Sequence, residues 1–319
     1  MKKTSIIYVA GHTGLIGSSI KRKLKELSYT QIITKTHKGL DLTSKKKVDR
    51  FFFKEKPEFV FLAAAKTGGI QANNAYPADF IYQNLMIQAN VIDAAYKYGT
   101  KKLLFLSSSC IYPKNCQQPM KEEHLMTGAL EPTNEPYALA KLAGIGMCQS
   151  YNKQYGTKFI CVVPANVYGI NDNFSENGHV LASLIRKFHF AKMKSQKVLE
   201  LWGTGKPRRE FLFAENLAEA CIQLMNNYSD SKVINVGSGQ DTSIKELAQI
   251  IKKITGYKGR IAYDLTKPDG NARRSLDGSK IRTFGWQPTT SLEEGIRETY
   301  LWYMKCISSG DQRMRGEFS

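Results

Sequence analysis

An apolar run of strand length, Ile6-Ile7-Tyr8-Val9-Ala10, passes without a spacer into Gly11-His12-Thr13-Gly14-Leu15-Ile16-Gly17, and an amphipathic stretch of helix length follows at once. Glycines spaced G-x-x-G-x-x-G at a strand-to-helix junction restrict the fold more than any other feature of the chain. They permit a tight turn and a close approach of backbone to ligand, and the helix behind them directs unpaired N–H groups and its positive end at whatever lies over the turn. A pyrophosphate suits that place best. The junction therefore reads as the start of a β-α-β unit that holds a dinucleotide over residues 11–17.

The first half of the chain repeats the pattern. Apolar runs of strand length at residues 5–10, 31–34, 59–64, 103–107 and 159–163 alternate with helical stretches at 16–27, 44–53, 80–98 and 135–155. Such alternation implies an α/β fold built on a Rossmann-type, doubly wound parallel sheet. After Pro164 the chain turns irregular, with Gly-, Asn- and Pro-rich turns and shorter elements. We therefore expect a dinucleotide-binding domain over residues 1–165, with later returns near 209–237, and a smaller substrate lobe over 166–319. Within that lobe a helix is expected over 243–254, with Ser243 at its cap and Glu246 three residues on.

With 319 residues, 42% of them hydrophobic, the chain can bury a large core. The apolar run behind Met1-Lys2-Lys3 is too short for a secretory signal, and no stretch approaches a membrane span, so a cytoplasmic protein without membrane contact is expected. Six cysteines are scattered without C-x-x-C or zinc spacing, which predicts free thiols and no metal site. The net charge of +18 would suit polyanions, yet the lysines are dispersed and no nucleic-acid motif is present, so most of it reads as solvated surface.

An NAD-specific site places a carboxylate at the end of the second strand for the ribose 2′-hydroxyl. Here the segment is Thr34-Lys35-Thr36-His37-Lys38, where a 2′-phosphate would meet Lys35, Lys38 or a protonated His37, so NADP(H) is expected. Tyr137 and Lys141 stand at i and i+4 on one helical face, a spacing that lets an ammonium lower a phenol toward the working pH range. The strand before them ends in Ser107-Ser108-Ser109-Cys110, which supplies a hydroxyl to polarise a carbonyl.

Together these residues resemble the extended short-chain dehydrogenases/reductases that modify nucleotide sugars, and most closely the GDP-L-fucose synthase family. The resemblance runs through nearly the whole chain. It is carried by Ala63-Ala64-Ala65-Lys66-Thr67-Gly68-Gly69-Ile70, Ala78-Asp79-Phe80-Ile81-Tyr82-Gln83-Asn84, Ser108-Ser109-Cys110-Ile111-Tyr112-Pro113, Glu131-Pro132-Thr133-Asn134-Glu135-Pro136-Tyr137 and Trp202-Gly203-Thr204-Gly205 with Arg209-Glu210-Phe211. It implies NADPH-dependent 3,5-epimerisation and 4-reduction of GDP-4-keto-6-deoxy-D-mannose to GDP-L-fucose.

By the same resemblance, Cys110 and His179 would be the epimerising base and acid. Ser108, Tyr137 and Lys141 would run the ketone reduction. Cofactor contacts are implied at Gly11, His12, Thr13, Gly14, Leu15, Ile16, Gly17, Lys35, Asp41, Leu106, Ser107, Ser108, Ser109, Lys141, Pro164, Ala165, Asn166, Val167 and His179. Substrate contacts are implied at Lys187, Trp202, Arg209 and Asp269, and a homodimer through the helices at 80–98 and 135–155. Thr13 stands where members of the family often carry an arginine, as does the region of His37, which leaves Lys35 and Lys38 as phosphate partners. Lys187 also replaces a frequent arginine, so the pyrophosphate clamp would be monodentate.

Two rivals stay open at this point. One is a C4 reductase of another GDP-4-keto-6-deoxy sugar, for example a heptose, without epimerisation. The other is a non-catalytic dinucleotide sensor or nucleic-acid-binding protein on the same scaffold.

Overall fold

The computed structural model describes residues 1–175, 178–267 and 269–310. Its first part runs β1 (Ile7–Ala10), α1 (Leu15–Glu26), β2 (Ile32–Ile33), α2 (Lys45–Glu55), β3 (Phe59–Leu62), α3 (Ile70–Ala75), α4 (Pro77–Lys97), β4 (Lys102–Leu106), α5 (Glu135–Tyr155) and β5 (Phe159–Pro164). The second part adds β6 (Asn166–Tyr168), α6 (Val180–Met193), β7 (Val198–Trp202), β8 (Arg208–Phe213), α7 (Ala214–Asn227), β9 (Ile234–Val236), β10 (Asp241–Ser243), α8 (Ile244–Thr255), β11 (Arg260–Asp264), β12 (Arg273–Arg274), α9 (Ser279–Arg282) and α10 (Leu292–Ser308).

Six strands form the central sheet in the order β2-β1-β3-β4-β5-β9, every neighbouring pair parallel. The parallel, Rossmann-type sheet is the one expected. Strands β1, β4 and β5 are buried along their whole length, which is why they read as unbroken apolar runs without alternation. The order steps outward from β1 in both directions, so a crevice opens above the carboxyl ends of β1 and β3, where the glycine turn lies.

The second half is more regular than its composition suggests. Helices α6 and α7 each run 14 residues, and α10 runs 17 behind a capping box in which the Ser291 hydroxyl accepts from Glu294 N. The Ser243–Glu246 box forms as expected: Ser243 N donates to Glu246 Oε2 at 2.8 Å, and Glu246 N donates to Ser243 Oγ at 3.1 Å. Side chains from α6, β7, β8, α8 and α10 build a second hydrophobic cluster around Tyr168, Phe174, Phe188 and Tyr303, apart from the one that encloses the central sheet. Glu210 ties β8 to its neighbours, since its buried carboxylate accepts from Gly239 N at 2.7 Å and Leu276 N at 2.6 Å.

Among the described residues no helix is long and apolar enough to cross a membrane, and no three His, Cys, Asp or Glu side chains could share a metal ion. All six cysteines are free thiols.

Candidate active site

Sequence places the glycine turn at the mouth of the crevice, and sterics show why glycine is needed there. Gly11 has φ +79°, and a Cβ on it would lie 2.8 Å from Ala64 N; one on Gly17 would lie 2.2 Å from the Gly11 carbonyl oxygen. The turn is therefore pressed against both β3 and the start of α1, and no side chain caps α1. Its first N–H groups face a cavity of about 650 Å³.

That cavity runs from the glycine turn to the centre of the molecule. It is lined by Gly11, Thr13, Gly14, Leu15, Ile16 and Gly17 at one side, by Lys35 and Asp41 at the outer end, and by Ser107, Ser108, Ser109 and Tyr137 at the inner end. Pro164, Ala165, Asn166, Val167 and His179 close it. Sequence reasoning passed over other lining residues: Ala63–Thr67, which leave β3, and Gln83 and Ile87 on α4. For Ala63–Thr67 the position beyond the carboxyl end of a parallel strand is the signal that would have found them; Gln83 and Ile87 sit within α4 and carry no such signal.

Some expected contacts fall elsewhere. His12 does not line the cavity; its Nδ1 is buried without a partner, and burial followed by the Lys21 charge lowers the imidazole below its ordinary value. Leu106 is a buried strand residue that acts through its carbonyl. Lys38 does not line the outer end, whereas His37 does. Asp41 accepts from the Thr43 hydroxyl at 2.7 Å and Thr43 N at 3.0 Å, which keeps its carboxyl below the usual range.

At the inner end, α5 carries Tyr137 and Lys141 on one face. The Lys141 ammonium is buried and donates to Leu106 O at 2.8 Å; burial lowers it to about 8. Burial also pushes the Tyr137 phenol up, opposed by the Ser108 hydroxyl beside it. The phenol is thus raised, where the helical spacing alone suggested lowering, because burial dominates and the Lys141 ammonium is tied to the strand end, 5.8 Å from the Tyr137 ring centroid.

Ser108 is shared between two groups. It caps a short 3₁₀ turn, Ser109–Ile111, and its Oγ accepts from Cys110 N at 3.4 Å. Burial raises the Cys110 thiol, while Ser108 and then the Arg274 and Lys141 charges pull it back. A cation does reach Cys110, but desolvation outweighs it. His179 caps α6, with Nδ1 3.6 Å from Asp172 Oδ1, and that carboxylate raises the imidazole above its ordinary value.

Beyond His179 the surface falls into a second cavity of about 560 Å³, lined from Val180 through Lys187 to Trp202. The Trp202 ring has Lys187 Nζ 5.6 Å and Lys267 Nζ 5.8 Å from its centroid. Arg209 and Asp269 lie off this cavity. Arg209 Nη1 donates to Asn271 O at 2.6 Å, and Asp269 accepts from the Thr204 hydroxyl at 2.6 Å. One cavity thus fits a dinucleotide and the other a planar ring with phosphates, with His179 on the ridge between them. The buried Ser107 hydroxyl, unpartnered at the first cavity's wall, and the glycine cradle both fit a bound nicotinamide dinucleotide phosphate.

Comparison with known proteins agrees with this geometry. The model of the NAD dependent epimerase/dehydratase family matches residues 7–237. GDP-L-fucose synthase 1 of Arabidopsis thaliana is 53% identical over 306 residues, covering 96% of this chain and 95% of its own. Among solved structures, a GDP-L-fucose synthetase from Naegleria fowleri bound to NADP superposes with a TM-score of 0.90 at 27% identity, over 97% of each chain. The GDP-mannoheptose C4 reductase of Campylobacter jejuni with NADP bound superposes with a TM-score of 0.88 at 41% identity, over 95% of this chain and 99% of that one.

Proposed function

The chain belongs to the NAD-dependent epimerase/dehydratase family, and from that premise we propose that it carries out the GDP-L-fucose synthase reaction, NADPH-dependent 3,5-epimerisation and 4-reduction of GDP-4-keto-6-deoxy-D-mannose. It is an NADP-dependent oxidoreductase with epimerase activity. The observation that carries this reading is the meeting of Ser108, Tyr137 and His179 in the wall of one cavity that begins at the glycine turn, with Cys110 beside Ser108.

Bound NADPH supplies the hydride that reaches C4 of the sugar. The residues do the rest. Protons at C3 and C5 are acidified by the neighbouring ketone, so the Cys110 thiolate removes one and the His179 imidazolium returns one to the opposite face. The Asp172 carboxylate, by raising His179, favours the form that donates. Ser108 donates a hydrogen bond to the C4 oxygen, and Tyr137, which burial keeps protonated, delivers the proton that completes the alcohol. Lys35 and His37, which line the outer end of the cavity, would meet the cofactor's 2′-phosphate; Lys141, buried behind the wall on the Leu106 carbonyl, would act on the ribose side by holding the end of that strand in place. In the second cavity Trp202 would stack on guanine and Lys187 would bind the pyrophosphate; Arg209 and Asp269, which lie off that cavity, would reach the nucleotide sugar from its margin.

The same reading divides the chain into a dinucleotide-binding domain over 1–165, joined by the returns near 209–237, and a substrate lobe over 166–319; the two hydrophobic clusters follow it in part, since Leu276, Ile281 and Trp286 pack with the central sheet and Phe211 and Phe213 with the lobe. It places the enzyme in the cytoplasm as a homodimer through α4 and α5, whose outer side carries Tyr96 stacked on Tyr155 at 4.1 Å and an exposed Leu139. The heptose alternative differs in the sugar accepted and in the absence of epimerisation. It is tested by running the reaction in deuterated water with NADPH and GDP-4-keto-6-deoxy-mannose. Deuterium at C3 and C5 of GDP-L-fucose is expected; oxidation of NADPH without it would leave a C4 reductase.

A further inference from the structure

Arg274 reaches the reacting groups without being part of the glycine turn or the Tyr137–Lys141 pair. It lies on β12, which pairs in parallel with β8 so that Arg274 stands opposite Arg209. Its Nη2 donates to Ser109 O at 3.1 Å and to Tyr112 O at 3.3 Å. Those carbonyls flank Cys110 in the chain, so the guanidinium spans the turn that carries the thiol.

Its charge is not neutralised there. Arg274 is half-buried and desolvated, and among the described residues it forms no ion pair with a carboxylate. The carboxylate whose field reaches it belongs to Glu131, which pairs with Lys114 at 3.8 Å. Asn271 separates the two: with its amide turned to satisfy both, it donates to Glu131 Oε2 at 3.2 Å and accepts from Arg274 Nη1 at 3.3 Å. A desolvated cation held one amide away from the nearest acid is expensive unless an anion forms beside it.

We propose that Arg274 is a positioning residue for the epimerisation, its charge held across the Ser109–Tyr112 turn to stabilise the Cys110 thiolate. The proposal rests on Cys110 being the epimerising base. In that step the C–H bond at C3 or C5 breaks, its electron pair passes into the enolate of the C4 ketone, and the proton forms S–H on Cys110. The groups facing Cys110 are Ser108 on its own loop, Tyr137 and Lys141 from α5, and Arg274 from β12. Lys141 is committed to the Leu106 carbonyl. Cys116 and Glu131 share the field of Arg274 from its other side.

The test uses the full chain without substrate. Cys110 alkylation by iodoacetamide is followed from about pH 7 to about pH 11 by peptide-resolved mass spectrometry, for the wild type, Arg274→Gln, Arg274→Lys and Glu131→Gln. Removing the charge is expected to move the Cys110 midpoint up by about one pH unit or more. In turnover it should slow deuterium uptake at C3 and C5 by about tenfold, and lysine should restore part of both. Glu131→Gln is expected to move the midpoint down with the melting temperature unchanged, whereas loss of burial would lower both; the upward shift in Arg274→Gln is the one misfolding cannot produce. An Arg274→Gln midpoint equal to that of the wild type overturns the proposal. If the KM for the GDP-sugar rises at an unchanged midpoint, Arg274 is a substrate ligand instead. Wild-type NADPH oxidation without deuterium uptake would remove the epimerase reading, and this proposal with it; normal wild-type uptake with an unresponsive Arg274 variant removes this proposal alone.

Discussion

Replacing Gly17 by alanine would set a Cβ 2.2 Å from the Gly11 carbonyl oxygen and 2.6 Å from its carbon. Ordinary contact needs about 1 Å more. Both neighbours are backbone, and Gly11 is itself held against Ala63 and Ala64, so α1 has to retreat from the turn. Overpacking of this kind costs about 1–3 kcal/mol, enough to lower the melting temperature by several degrees. The first-turn N–H groups move with the helix. Losing two charge-assisted contacts to a pyrophosphate, at about 1.5–3 kcal/mol each, weakens NADPH binding about 100-fold or more. Isothermal titration with NADPH and a thermal melt measure both effects. Gly14→Ala is the control, because its Cβ would lie an ordinary 3.5 Å from Gly11 O and should leave the melting temperature unchanged. A Gly17→Ala protein that bound NADPH within about threefold of the wild type and melted with it would refute the steric reasoning.

Lys35→Ala should weaken NADPH about tenfold by removing one charge-assisted contact to the 2′-phosphate and leave NADH unaffected; equal losses for both cofactors would show that Lys35 does not read the phosphate. Asp172→Asn should lower the titration midpoint of His179, followed by NMR of its ring protons. Since the folded state raises this imidazole above 6.5, the pair contributes stability that is fully present below about pH 6.5 and is lost as pH rises through the raised value. The stability gap between variant and wild type should therefore close with increasing pH, and a gap that widened would contradict the pairing. Glu210→Ala strands one buried N–H group, of Leu276, and frees that of the exposed Gly239. A urea melt should show a loss of about 1–3 kcal/mol, and a loss under about 0.5 kcal/mol would mean that water replaces the carboxylate.

How much of this was legible follows from how each feature is encoded. The glycine turn, strands β1, β3, β4 and β5, helix α5 and the Ser243 capping box are local patterns, and they form where the sequence places them. The sixth strand of the sheet is not local. Ile234–Val236 is three residues long, and only its pairing with β5 makes it a strand. Likewise α6, α7 and α10 lie in a region whose turn-rich composition hides them, and α10 is readable from its Ser291–Glu294 box alone. In the site, Tyr137 and Lys141 share a face because i and i+4 residues must, whereas the direction in which the phenol shifts depends on burial and on the carbonyl that holds Lys141. Arg274 shows the limit most clearly. Nothing in Arg273-Arg274-Ser275 marks it, and its place at Cys110 comes from the register of a two-residue strand on β8.

Trp202 gives the molecule an intrinsic optical probe of its second cavity. Of the three tryptophans, Trp286 is buried and Trp302 half-buried, while the Trp202 indole is 60% exposed with two ammonium groups near its face. Its emission should therefore be red-shifted and quenched relative to the other two, and a guanine laid on the ring would change both intensity and wavelength. Energy transfer from tryptophan to a reduced nicotinamide would report the other cavity in a separate band. The protein thus carries two unlabelled optical channels, one for each cavity, and the order in which nucleotide sugar and cofactor arrive can be timed in a single stopped-flow trace.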